Sequence, residues 1–143
     1  REMQDEFLRL QDILGKTIAF ITHDFDEALR LADRIAVMKD GSIEQCDTPD
    51  RIVLNPATEY VAKFTREVEK SKVVKARALA KTFEGIDLSG DPVLANATIK
   101  ELARLLMSDV REVIPVVEND GKNQKLIGGM DRKEALEILF GSG

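Results

Sequence analysis

Tryptophan is absent, and the 143 residues contain one tyrosine, one histidine and one cysteine. Tyr60 alone cannot build an aromatic stacking platform for single-stranded nucleic acid. A lone histidine, His23, excludes a multi-histidine metal site and most proton-shuttling arrangements, so no metal is expected. Cys46 can form neither an internal disulfide nor a cysteine-rich zinc site. A reducing cytosol is therefore the expected compartment, with the thiol buried or neutral rather than nucleophilic. No apolar run reaches the ~18 residues of a membrane span. The first residues lead straight into an amphipathic pattern, so no secretory leader is expected. Cationic excess is missing too: 21 Lys and Arg against 26 Asp and Glu give a net charge of −5. Nucleic acid is not an expected partner of such a chain.

What is present suits a folded, charged-surfaced protein of one domain or two small ones, with 43% apolar and 33% charged residues. The acidic excess is uneven: residues 1–71 carry ten basic and fifteen acidic side chains, and residues 72–143 carry eleven of each. Apolar spacing at Met3, Phe7, Leu10 and Leu14 predicts a helix over 2–14, stopped by Gly15. The β-branched run 17–22 predicts a strand covered on both faces. Asp24 and Glu27 form a capping-box pattern before a helix through Ala32. A hairpin is expected from Arg34 to Gln45 around Asp40-Gly41. Short helices should follow Thr48-Pro49 and Pro56.

Residues 66–81 change texture. Six basic residues lie among two acidic ones, with Ala and Val between, which predicts a helical connector ended by Gly85 and Ser89-Gly90-Asp91-Pro92. Beyond it the pattern predicts an α+β unit: extended 92–94, a helix capped by Thr98 with Glu101, strands at 113–117 and 125–130, and a helix capped by Asp131 with Glu134. This strand–helix–strand–strand–helix order buries little core alone, which argues for pairing with a second copy. The expected units are 1–65, a basic linker 66–90, and 91–143.

His23 stands between an apolar run and a helix N-terminus, the place where α/β proteins bind ligands. A histidine there can hydrogen-bond a phosphate oxygen; the plainer alternative is packing or capping. Residues 20–41, Phe-Ile-Thr-His-Asp-Phe-Asp-Glu-Ala-Leu-Arg-Leu-Ala-Asp-Arg-Ile-Ala-Val-Met-Lys-Asp-Gly, resemble the switch-histidine region of ABC transporter ATPases. Ile-Glu-Gln (43–45), Asp-Thr-Pro (47–49) and Asn-Pro-Ala-Thr-Glu-Tyr-Val (55–61) continue the resemblance in register. It is strongest to ATP-binding subunits that import glycine betaine, proline betaine, choline or carnitine, which commonly carry a CBS regulatory extension. Residues 91–140 resemble one CBS motif.

The resemblance implies the C-terminal portion of a P-loop ATPase domain followed by a CBS domain, an α/β fold with an α+β extension. It implies that His23 is the catalytic residue that contacts the γ-phosphate of ATP and helps position the attacking water. It also implies membrane permease subunits as partners and a peripheral place on the inner face of the membrane. Asp26 and Glu27 point about 100° apart on a helix and read as solvent-exposed capping carboxylates, not a catalytic pair.

The phosphate cradle G-x-x-x-x-G-K-[ST] is not found. Gly15-Lys16-Thr17 imitates its end, but Leu10 stands where the first glycine belongs, and an extended run follows instead of a helix. The ABC signature and the strand ending in an Asp-Glu pair are also missing from these residues. Because phosphoryl-transfer catalysis is positioning plus electrostatics from such groups, ATP hydrolysis by these residues alone is not expected.

In the CBS-like unit, the resemblance makes Thr98, Ile114, Val116, Asp131, Arg132 and Glu134 candidates for binding an adenine nucleotide or cyclic dinucleotide. The family pattern Gly-apolar-x-Ser/Thr-x-x-Asp reads here Gly128-Gly129-Met130-Asp131-Arg132-Lys133-Glu134. Asp131 replaces the hydroxyl that touches phosphate, and an acid there is repulsive unless a cation intervenes. Glu134 replaces the ribose-binding Asp. Asp131 and Glu134 as a simple capping box is the other reading. Residues 66–81 could also meet anionic lipid, each exposed cation contributing about 1 kcal/mol under salt screening, or be a solvated linker. Two functions are thus in play: part of an ATP-driven importer subunit, or a non-catalytic CBS module that pairs with itself and senses an adenylate or ionic strength.

Overall fold

A computed structural model describes residues 2–141 of the chain. The protein is α/β, with elements in the order α1 (Glu2–Leu14), α2 (Phe25–Leu31), β1 (Ile35–Lys39), β2 (Ser42–Asp47), α3 (Pro49–Leu54), α4 (Glu59–Thr65), α5 (Lys70–Val73), α6 (Ala76–Leu79), β3 (Val93–Leu94), α7 (Ala103–Ser108), β4 (Val113–Asp120), β5 (Asn123–Asp131) and α8 (Arg132–Phe140). Among the described residues no helix is long and apolar enough to cross a membrane.

The first half is built around a hairpin. β1 and β2 pair antiparallel, with Lys39 opposite Ser42. The turn residues Asp40 and Gly41 have φ of 50° and 78°, the left-handed values that a two-residue hairpin turn demands. Ala28, Ile35, Val37, Ile52 and Val61 form a small core under this hairpin, with Phe25 and Tyr60 packed against it. α1 forms as its spacing predicts and ends where the Gly15 amide donates to the Gln11 carbonyl, yet none of its residues is buried.

Residues 17–22 differ from expectation. They are not a strand, because no neighbouring strand among the described residues satisfies their backbone, and a β-run without a ladder partner is only extended chain. Their apolar surface is open: Ile21 is 97% exposed. Phe7 against Phe20, with ring centroids 5.7 Å apart edge to face, holds the segment to α1.

The second half has the strand–helix–strand–strand–helix order. β3 runs parallel to β4 and β4 antiparallel to β5, in the order β3-β4-β5. Leu106 of α7, Ile114 and Val116 of β4, and Met130 of β5 are wholly inaccessible; burying each such side chain contributes about 1.5–3 kcal/mol.

The connector over 66–81 is not one helix. It forms two single turns, α5 and α6, separated by extended Val74 and Lys75. The break is set from outside: the Val74 carbonyl accepts from the Ile99 amide (2.9 Å), and the Ala76 and Arg77 amides donate to the carbonyls of Ala97 and Ala95 (2.9 Å each). Val74, Ala76 and Leu79 join the second core, so this segment is an inner layer of the second half.

Candidate functional site

The turn that presents His23 is held on both sides. Thr22 Oγ1 accepts the Asp24 amide at 3.0 Å, and Asp24 Oδ1 accepts the Glu27 amide at 3.1 Å. Asp24 is thus the N-cap of α2, but the capping box is half-made, since Thr22 rather than Glu27 takes the Asp24 amide. Ala28 and Leu31 bury the inner face of α2, and Arg30 ties its outer face to Asp5 at 2.6 Å. His23 is exposed between these anchors. Its imidazole can offer one hydrogen bond to an incoming anion. Thr22 was missed in the sequence; its hydroxyl two residues before a capping Asp was the available signal.

Gly15 has φ of +59° and closes α1, and Lys16 and Thr17 lie on exposed chain. Residues 15–22 carry no regular structure, so Gly15-Lys16-Thr17 does not open a helix as a phosphate cradle would.

At the β5–α8 junction, Asp131 Oδ1 accepts the amides of Lys133 and Glu134 and caps α8. Glu134 does not reach back to complete a box. Its Oε2 instead accepts from Lys81 Nζ at 2.7 Å. Glu134, and secondarily Asp131, raise the Lys81 pKa and hold its ammonium charged. Lys81 is thus paired with Glu134, while Asp131 is engaged in the cap. The pairing was not legible in the sequence because 53 residues separate Lys81 from Glu134.

Its position depends on two glycines. Lys81 and Gly129 exchange both amide–carbonyl bonds, at 2.8 and 2.9 Å. A Cβ on Gly128 would lie 2.9 Å from the Lys81 carbonyl oxygen, closer than carbon and backbone oxygen tolerate.

The other candidates scatter. Arg132 turns away, its Nε donating to the Leu106 carbonyl at 2.9 Å. Thr98 and Glu101 make the reciprocal bonds that were expected, the Thr98 amide on Glu101 Oε1 and the Glu101 amide on Thr98 Oγ1 at 3.2 Å each, but they close a turn instead of capping the helix. The α-helix proper begins later, at Ala103. Ile114 and Val116 present no accessible surface. Two clefts flank the region. One of about 480 Å³ is bordered by Lys70, Leu79, Glu134 and Glu137. The other, of about 1600 Å³, lies between the halves and is bordered by Arg34, Asp50, Lys75, Arg77 and Thr98. Thr98 and Glu134 therefore open into different clefts. Among the described residues no cluster of three His, Cys, Asp or Glu side chains could hold a metal ion.

No protein-family model matches the chain. Over 140 residues it is 63% identical to the trimethylamine N-oxide transport system ATP-binding protein TmoW of Ruegeria pomeroyi, a match covering 98% of the chain and 39% of that relative. It is 44% identical over 140 residues to the glycine betaine transport ATP-binding protein OpuAA of Bacillus subtilis, covering 96% of the chain and 31% of the relative. It is 40% identical over 121 residues to the glycine betaine/proline betaine transport system ATP-binding protein ProV of Escherichia coli, covering 85% and 30%. The chain thus spans well under half the length of these curated relatives.

Proposed function

The chain belongs to the ATP-binding subunits of glycine betaine-type ABC importers, and from that premise we propose that it forms part of a subunit that drives uptake of small quaternary or oxidised amines with ATP. The observation that carries this reading is the geometry at His23, an exposed side chain on a turn held by side-chain bonds at a capped helix start, within a match covering nearly the whole chain. His23 donates a hydrogen bond to the terminal phosphate of ATP, and the Thr22 and Asp24 bonds hold it there. The remaining phosphate contacts come from residues other than these, so the 143 residues alone do not hydrolyse ATP. The subunit docks on membrane permease partners from the cytoplasmic side.

The experiment is ATP hydrolysis and amine uptake by the full-length polypeptide with its permease. His23→Ala should abolish hydrolysis while leaving folding intact, and Thr22→Val should lower it less. Unchanged hydrolysis in His23→Ala would overturn the assignment.

The second half fits a CBS-type regulatory unit, residues 91–143, joined by 66–90 to the ATPase portion at 1–65. Its β3-β4-β5 order supports this. Met107, Val110 and Phe140 remain exposed, and apolar surface of this kind suits pairing with a second copy. An adenine nucleotide or cyclic dinucleotide would meet polar groups already engaged, since Asp131 caps α8 and Glu134 holds Lys81. Calorimetric titration with both ligand classes tests that binding, and light scattering tests the dimer; a monomer indifferent to both would remove the regulatory reading.

A further inference from the structure

Two buried cores meet on one short helix. Adjacent residues of an α-helix point about 100° apart, and on α3 that divergence assigns Ile52 to the first core and Val53 to the second. Both are essentially inaccessible, at 0% and 1%. Leu29 of α2 packs against both cores as well.

Polar contacts fix α3 at each end. Near its start, Asp50 Oδ2 accepts the Lys75 amide at 2.9 Å, a link from the first half to the inner layer of the second. Past its end, Gln45 Nε2 donates to the Asn55 carbonyl at 3.1 Å, and Gln45 Oε1 accepts the Ala57 amide at 2.9 Å. α3 is therefore tied to the hairpin on one side and to α5–α6 on the other. Close-packed interiors transmit displacement rather than absorb it, and Ile52 and Val53 share a backbone.

We propose that α3 is a coupling element that carries the packing state of the second core, through Val53 and Ile52, to α2 and so to the turn that presents His23. The last step is direct: Ile52 shares its core with Ala28 of α2, and α2 begins at the Asp24 cap beside His23. This goes beyond the transport reading, and rests on it only for the role of His23.

Amide hydrogen exchange on the full-length polypeptide tests the coupling with no nucleotide added. Leu106→Ala loosens the second core from a position outside α3, and Ile114→Val is a milder substitute if that variant does not fold. Exchange at the amides of α2 should rise about tenfold or more, together with those of α8. Adding Val53→Ala should confine the rise to α8 and leave α2 within about twofold of the parent. An α2 that ignores both second-core variants would overturn the proposal. So would transmission that survives Val53→Ala but is lost in Leu29→Ala, which would place the route in α2 alone. A failed transport assay would leave these exchange results standing, and failed coupling would leave the transport reading standing.

Discussion

Residues 2–22 and residues 93–140 both carry regular apolar patterns, and they end in opposite states. In the first segment Met3, Ile13 and Ile21 face solvent and no residue of α1 is fully buried. In the second, Leu106, Ile114, Val116 and Met130 lie in one closed core. The contrast teaches that periodicity specifies a face, whereas burial needs an opposing surface. The second half supplies its own, because Val74, Ala76 and Leu79 of the connector, Leu106 of α7 and Ala135 of α8 close one core with the sheet residues. The first half supplies enough to cover α2, β1 and α3 but not α1.

Removing side-chain volume from each region is the most forceful way to break that contrast. Leu106→Ala should destabilise the protein by about 2–5 kcal/mol, because a filled, inaccessible site becomes a cavity, read as a lowered midpoint of urea unfolding. Adding volume to the second half should cost less. A methyl on Gly129 would meet Val113 Cγ1 at 2.5 Å, Leu88 Cδ2 at 3.0 Å and Phe83 Cδ2 at 3.1 Å, so Gly129→Ala should cost about 1–3 kcal/mol by the same assay.

A smaller effect is electrostatic. Arg111 grips both oxygens of Asp109 and lowers its carboxyl to about 2 from an ordinary 3.8. A pKa lowered by folding contributes stability above the unfolded value, and that contribution is lost as pH falls toward the folded value. Stability should therefore decline between about pH 4 and about pH 2, and Asp109→Asn should flatten that decline while costing on the order of 1 kcal/mol at neutral pH. Unfolding midpoints across that range would measure it. The smallest change should come from the open segment: Ile13→Ser should leave stability within about 0.5 kcal/mol. A large loss there would mean that α1 is covered in solution, and would sharpen the contrast by naming a partner surface.

Local signals hold where they act locally. Asp24 and Asp131 cap their helices, Asp40-Gly41 turns its hairpin, and Thr98 and Glu101 make their reciprocal bonds, since each rests on atoms within a few residues. The errors lie where distant backbone intervenes. The β-branched run 17–22 has strand chemistry but no ladder. The segment 66–81 has helical composition but is broken at Val74-Lys75 by hydrogen bonds to residues 97 and 99. At the β5–α8 junction, Glu134 leaves the cap for Lys81.

By itself, then, the sequence determined the starts of α2, α3 and α8, the hairpin turn, the order of strands and helices in the second half, and the family resemblance around His23. Tertiary structure decided which apolar faces are covered, which carboxylate meets which cation, and that one helix serves two cores. The physical reason is range. Caps and turns are settled by neighbours along the chain, whereas burial and ion pairing depend on segments brought together only by folding.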